Sequence, residues 1–185
     1  MADLFEILRS DHGDVQLLLA ALENSPGHAA GATQAVLRAR KAAAERLVID
    51  SARHEAAEEE YIWPAVRAQL GHGNQLADQA SAQEMELMAA LARLDKLEAD
   101  DDQFDELLAE LIPATRRHLE FEETRIWPEM RTAFSPLQAR ELGNKVAEAA
   151  ERTAAGRPGG RKPAGSAQAA AGKLNGAVSR RRAAG

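Results

Sequence analysis

RHEAAEEEYIWPAVR at residues 53–67 and RHLEFEETRIWPEMR at residues 117–131 are one phrase used twice, R-H-x-x-x-E-E-x-x-I-W-P-x-x-R, at an offset of 64 positions. In each copy a histidine precedes a glutamate by four residues: His54 with Glu58, and His118 with Glu122. Residues i and i+4 of an α-helix lie one above the other on the same face. Each copy therefore presents an imidazole and a carboxylate together, which is half of a metal site. Two such halves facing one another can enclose a pair of ions.

The flanking sequence supplies helices to carry the two phrases. Apolar residues recur at spacings of three and four in four long segments. These run over about 2–23 (Leu4, Leu8, Val15, Leu19, Leu22), 33–70 (Val36, Ala43, Leu47, then Ser51, His54, Glu58, Tyr61, Ala65), 74–98 (Leu76, Ala80, Leu87, Leu91, Leu94) and 103–134 (Leu108, Leu111, Thr115, Ile126, Met130). Asn24-Ser25-Pro26-Gly27, Gly71-His72-Gly73 and Asp100-Asp101-Asp102 punctuate them. Ser135-Pro136 reads as a cap followed by proline in the first turn of a fifth helix reaching about Ala155. The fold expected is all-α: an up-down-up-down four-helix bundle over residues 1–134 and an additional helix over 135–155. The Gly-, Ala-, Pro- and Arg-rich residues 156–185 are expected to form a disordered basic tail. The excess of helix two, or segment 25–40, is expected to overhang the bundle end as a lid or a protruding turn, because helix two is longer before His54 than helix one is after His12.

Two polar residues interrupt the apolar stripes: His12 stands where the first helix calls for leucine, and Glu84 does so in the third. Counting back from the turns puts Glu58, Glu84 and His118 at nearly one height in the bundle. A single histidine on an apolar stripe is usually a hydrogen-bonded core residue. Three histidines and three glutamates at one level, with no inward lysine, are another matter, since buried charges are paired or bind metals. The candidate ligands are therefore His12, His54, Glu58, Glu84, His118 and Glu122. Tyr61, seven residues after His54, is expected to face the same interior as a ligand, a hydrogen-bond donor or plain core. Arg125 is its counterpart in the second phrase. Trp63 and Trp127 read as packing anchors, Glu59, Glu60 and Glu123 as outward-facing or supporting residues, and His28 and His72 as exposed loop residues.

Composition narrows the function classes. There is no cysteine, which excludes disulfides and thiolate chemistry and accords with a cytoplasmic setting. The N-terminal stretch has no signal-peptide pattern, and no apolar run is long enough to span a membrane. Seven basic residues and no acid fall within 156–185, leaving sixteen basic against twenty-nine acidic residues, a net −13, in the first 155. That acidic body suits cations and disfavours nucleic acid, for which only the basic tail is a candidate.

The order His on helix one, H-x-x-x-E on two and H-x-x-x-E on four resembles the hemerythrin-like family, the HHE cation-binding domains, here through His12, His54/Glu58 and His118/Glu122. The resemblance covers roughly residues 3–134. It implies a non-haem centre of two iron ions, oxo- or hydroxo-bridged, with carboxylates bridging and histidines terminal. The ligand types also admit manganese or zinc. One departure stands out: the phase of helix three presents Glu84 where the family usually has a histidine. An added carboxylate favours ferric iron. The small-molecule partner implied is accordingly hydrogen peroxide or NO, in a catalase-like or NO-handling role. Reversible O2 or NO binding, or iron buffering, is the alternative.

Overall fold

The computed structural model describes residues 3–155, and the expected basic tail lies outside them. Seven α-helices make five rods: α1 Leu4–Glu23, α2 Gln34–Ala57 continuing into α3 Trp63–Gln69, α4 Gly73–Leu94, α5 Asp102–Phe121 continuing into α6 Trp127–Ala133, and α7 Pro136–Ala155. The first four rods form the up-down-up-down bundle, and α7 lies across α1 and the α2–α3 rod. Local chemistry starts these helices where the sequence indicates. Asp3 and Glu6 make a reciprocal capping box at α1, Thr33 caps α2, and Asp101 caps α5. Helix α4 stops at Leu94, short of the expected Glu98, and a turn follows.

The joints α2–α3 and α5–α6 are π turns, Glu58–Ile62 and Glu122–Ile126. In each, the tryptophan N–H bonds to the carbonyl five residues back, Trp63 to Glu58 and Trp127 to Glu122. Both joints precede the Trp-Pro step of the repeated phrase. A proline ring within a regular helix clashes with the carbonyl four residues earlier, and its nitrogen cannot donate. Widening the turn by one residue relieves both conflicts. Pro64 and Pro128 thus explain why the rods are remodelled at the same place twice.

The widening corrects one face of the sequence reading. After Glu58 the inward positions are Ile62 and Val66, both essentially inaccessible, instead of Tyr61 and Ala65, which are partly exposed. All the other inward stripes are buried as expected. Segment 25–40 does cover the bundle end, but packed down rather than as a lid or a protruding turn: Val36, Leu37 and Arg40 are buried there in one cluster with Leu94, Ala99 and Phe104. Arg40 donates to the Leu22 and Ser25 carbonyls and to Asp105, and its guanidinium lies 5.7 Å from the centre of the Phe104 ring. The chain between α1 and α2 is thereby tied down over that end.

Two apolar clusters result. One, around Leu19, Leu47, Leu91 and Leu111, fills the end near Arg40. The other, around Leu4, Trp63, Ile126 and Met130, fills the opposite end beneath α7. A layer of buried polar side chains separates them: His12, His54, Glu58, Glu84, His118 and Glu122. No helix among the described residues is long and apolar enough to cross a membrane.

Candidate metal centre

All six ligands expected from the sequence meet in that layer, each no more than 6% exposed. Their donor atoms gather into two groups, and within each group the atoms lie within 4.8 Å of one another. One group is His12, His54 and Glu122; the other is Glu55, Glu58, Glu84 and His118. Helix α1 supplies His12, and α2 with its π turn supplies His54, Glu55 and Glu58. Glu84 comes from α4, His118 from α5, and Glu122 from the second π turn.

Glu122 joins the two groups. Its Oε2 lies 3.1 Å from His12 Nε2, and its Oε1 lies 3.0 Å from His118 Nε2. Glu58 Oε1 stands 3.4 Å from His54 Nε2. These atoms are close, yet they are not aligned as hydrogen bonds. His12, His54 and His118 Nε2, both oxygens of Glu58 and of Glu122, and Glu55 Oε2 are buried without a hydrogen-bond partner. So many orphaned donors and acceptors at one point would be very costly if nothing else bound there. Unpaired nitrogens and carboxylate oxygens converging in this way match the coordination needs of divalent or trivalent metal ions.

The outer ring nitrogens are engaged from behind. His12 Nδ1 donates to Glu123 at 2.8 Å, and His118 Nδ1 donates to Gln83 Oε1 at 3.1 Å. Asp11 Oδ2 lies 3.7 Å from His54 Nδ1, an ion-pair distance rather than a hydrogen bond, while its Oδ1 accepts from Arg53. Such partners fix the tautomer that leaves Nε2 free for a metal. Behind the carboxylates, Trp63 Nε1 donates to Glu84 Oε1 at 2.8 Å. The Trp127 ring lies 4.7 Å, centre to centre, from His12. The two tryptophans thus pack the core and also brace the centre.

Electrostatics follow from burying four carboxyls together. Burial, and then the charge of Glu122, push Glu58 well above its ordinary range. Burial, followed by the charges of Glu55 and Glu122, lifts Glu84 to about 8. Glu55 is raised chiefly by burial. Burial works against protonation of His54, but Glu58, Asp11 and Glu122 outweigh it and hold the ring well above 6.5. His118 is raised in the same way by Glu122, Glu55 and Glu84. Of the four, Glu122 alone goes down, because the adjoining imidazoles of His118, His12 and His54 outweigh its burial. Without metal, the interior must hold protons that ions would displace.

Tyr61 and Arg125 are not at the centre. The Tyr61 hydroxyl bonds Glu60 and accepts from Arg152 of α7 at 2.9 Å on the outer surface. Arg125 is exposed. Both positions fall within the π turns, which rotate them away from the ligand face. Glu59 and Glu60 are exposed as expected, and Glu123 takes the supporting role. His28 is exposed; so is His72, whose ring pairs with Glu129 at 3.0 Å. The residues missing from the sequence reading are Glu55, Asp11 and Gln83.

A groove of about 380 Å³ between α4 and α5 is lined in part by Gln83, Leu87, Leu111, Ala114 and His118.

No curated protein matches this chain. Among solved structures, it resembles the crystal structure of a hemerythrin HHE cation-binding domain-containing protein from Mycobacterium kansasii. The TM-score is 0.68 at 19% identity, over 83% of this chain and 88% of that one, a likeness of fold. The family model described as the Hemerythrin HHE cation binding domain matches residues 3–130, a span that contains all seven clustered side chains. The chain therefore belongs to the hemerythrin HHE cation-binding domain family.

Proposed function

We propose that this chain is a non-haem di-iron protein that reacts with small oxidants, foremost by catalase-like disproportionation of hydrogen peroxide to water and dioxygen, with NO handling as the other reaction class such a centre would serve. The observation carrying this reading is the pair of donor groups joined by Glu122, with their Nε2 and carboxylate atoms buried and unpartnered. His12, His54 and Glu122 would hold one ion; His118, Glu55, Glu58 and Glu84 would hold the other, with Glu122 between them. When bound, the ions supply Lewis acidity and electron exchange. The side chains do the rest. Glu123, Asp11 and Gln83 keep the imidazoles oriented. The groove lined by Gln83 and His118 has room for molecules of water or peroxide size and would be the approach to the centre.

The carboxylate count separates this reading from reversible O2 carriage. Four glutamates against three imidazoles form an oxygen-rich donor set, which stabilises the oxidised metal. The cysteine-free sequence supports a cytoplasmic setting for such chemistry.

The test is metal analysis and a visible spectrum of the full chain purified without chelators, followed by stopped-flow measurement of peroxide loss. Two irons per chain and multiple turnovers are expected. Iron that binds O2 or NO reversibly without consuming peroxide would replace this reading with the sensor or carrier reading. Absence of bound metal would overturn both.

A further inference from the structure

An array of alternating charge lies between α1 and α2, beside the metal centre. Arg46, Asp50 and Arg53 succeed one another on α2 at spacings of four and three, and Asp11 meets them from α1. Arg46 Nε donates to Asp50 Oδ2 at 2.6 Å. Asp50 Oδ1 lies 3.8 Å from Arg53 Nη1, and Arg53 Nη2 donates to Asp11 Oδ1 at 3.0 Å. The other oxygen of Asp11 faces His54 Nδ1 at 3.7 Å. The array therefore ends on a candidate ligand.

It is more deeply set than a surface ion network. Asp50 is 2% exposed, and Arg46, Arg53 and Asp11 are half-buried. Burying a carboxylate between two guanidiniums costs solvation that helix packing alone does not demand. Exposed pairs at these spacings contribute little. The repeated phrase isolates the feature. It carries an arginine before the histidine in both copies, yet only the first is used in this way. Asp50 corresponds to Ala114 in the second half and Arg46 to Glu110, and Arg117 is exposed along the α4–α5 groove.

We propose that Arg53 is a positioning residue of the centre: anchored by Asp50, it holds the Asp11 carboxylate against the outer nitrogen of His54 and so strengthens that imidazole as an iron ligand. This rests on the two-iron reading above. The guanidinium is a planar fork whose donors reach two carboxylates at once. One oxygen of Asp11 is taken by Arg53, which leaves the other turned to the ring. Without Arg53, a half-buried aspartate is drawn to water and His54 loses its backing. A carboxylate behind a ligating imidazole fixes the ring and raises its basicity, and losing such a partner costs about 10–100-fold in metal affinity. Charge alone predicts the opposite. Removing a positive side chain near bound cations strengthens their binding, so the sign separates positioning from long-range electrostatics.

The experiment titrates the metal-free full chain anaerobically with ferrous ion against a competing chelator, for the parent, Arg53→Gln, Asp11→Asn and the double variant. Arg53→Gln should weaken one of the two ions by at least about tenfold and leave the other unchanged. The double variant should bind no more weakly than Asp11→Asn, because Arg53 acts through Asp11. A merely structural role for Arg53 would loosen both ions or make the two losses add, and either result overturns the proposal. So does an Arg53→Gln chain that binds as tightly as the parent or more tightly; the two-iron reading then still stands. A parent that takes up fewer than two ions overturns that reading and this proposal with it. Asp50→Asn, a change of nearly equal shape, keeps the test open if Arg53→Gln does not fold. It should weaken the same ion, and the loss should vanish in the Asp11→Asn background; no loss, or a loss that persists there, overturns the proposal.

Discussion

Replacing Glu84 by glutamine should move the metal-free and metal-loaded proteins in opposite directions. The side chain is 6% exposed, and burial, together with the charges of Glu55 and Glu122, holds its carboxyl at about 8. A folded-state value raised above the ordinary 4.5 means that the folded chain keeps a proton the unfolded chain has lost. Metal-free stability therefore falls as pH rises across that window. At about pH 7 the cost is ~1.4 kcal/mol for each pH unit above 4.5, on the order of 3 kcal/mol. Glutamine avoids it, and its carbonyl can still accept from Trp63 Nε1, as Glu84 Oε1 does at 2.8 Å. For a chain of this size the gain is on the order of 10 °C in melting temperature near neutral pH, shrinking to nothing near pH 4.5. With metal the sign reverses, because a donor has been removed, and affinity for the second ion should fall at least tenfold. Calorimetric melting of both forms at several pH values, with metal titration, makes the comparison. A Glu84→Gln chain that melts lower without metal, or binds both ions as the parent does, would refute the reasoning.

Five further outcomes are expected. The metal-free parent should melt lower at about pH 8 than at about pH 5.5, because Glu58, Glu84, His54 and His118 are all held above their ordinary values and lose stabilising protons as pH rises. The metal-loaded protein should show the reverse, since acid competes for its ligands. His54→Ala and His118→Ala should each lose at least one ion per chain by metal analysis. Tyr61→Phe should leave the visible spectrum and peroxide rate unchanged and cost less than about 1 kcal/mol, since its partners Glu60 and Arg152 are exposed. A chain ending at Ala155 should load metal and turn over peroxide as the full chain does, because every clustered donor precedes that residue.

The fold was legible because the apolar period is strong and the turns are well punctuated. Four of the candidate ligands announced themselves through the repeated phrase, and His12 and Glu84 through polarity at positions where packing demands leucine. Tyr61 was misplaced because a uniform helical period was carried through Glu58–Ile62, where the chain takes an extra residue per turn. The signal lay one step further on, in Pro64, whose ring cannot follow a regular turn. Glu55, Asp11 and Gln83 were hidden for a different reason. Each is the chain neighbour of a ligand and acts on a different helix: Asp11 beside His12 supports His54, Gln83 beside Glu84 supports His118, and Glu55 beside His54 comes within 3.7 Å of His118. Glu123, the neighbour of Glu122, supports His12 in the same manner. Those pairings depend on how the rods are rotated against one another, which spacing within a single helix does not specify.

The division of donors between the halves of the chain bears on how the protein is assembled. Residues before the Leu70–Gly73 turn supply His12 and His54 to one group but leave Glu122 to the later half; the other group takes Glu55 and Glu58 from the first half, and Glu84 and His118 from the second. Neither hairpin alone can complete either set. Metal uptake therefore acts as a proofreading step, because ions are retained only by chains whose two halves have docked in register. Two fragments severed at that turn should accordingly associate weakly in chelator and firmly once ions are restored.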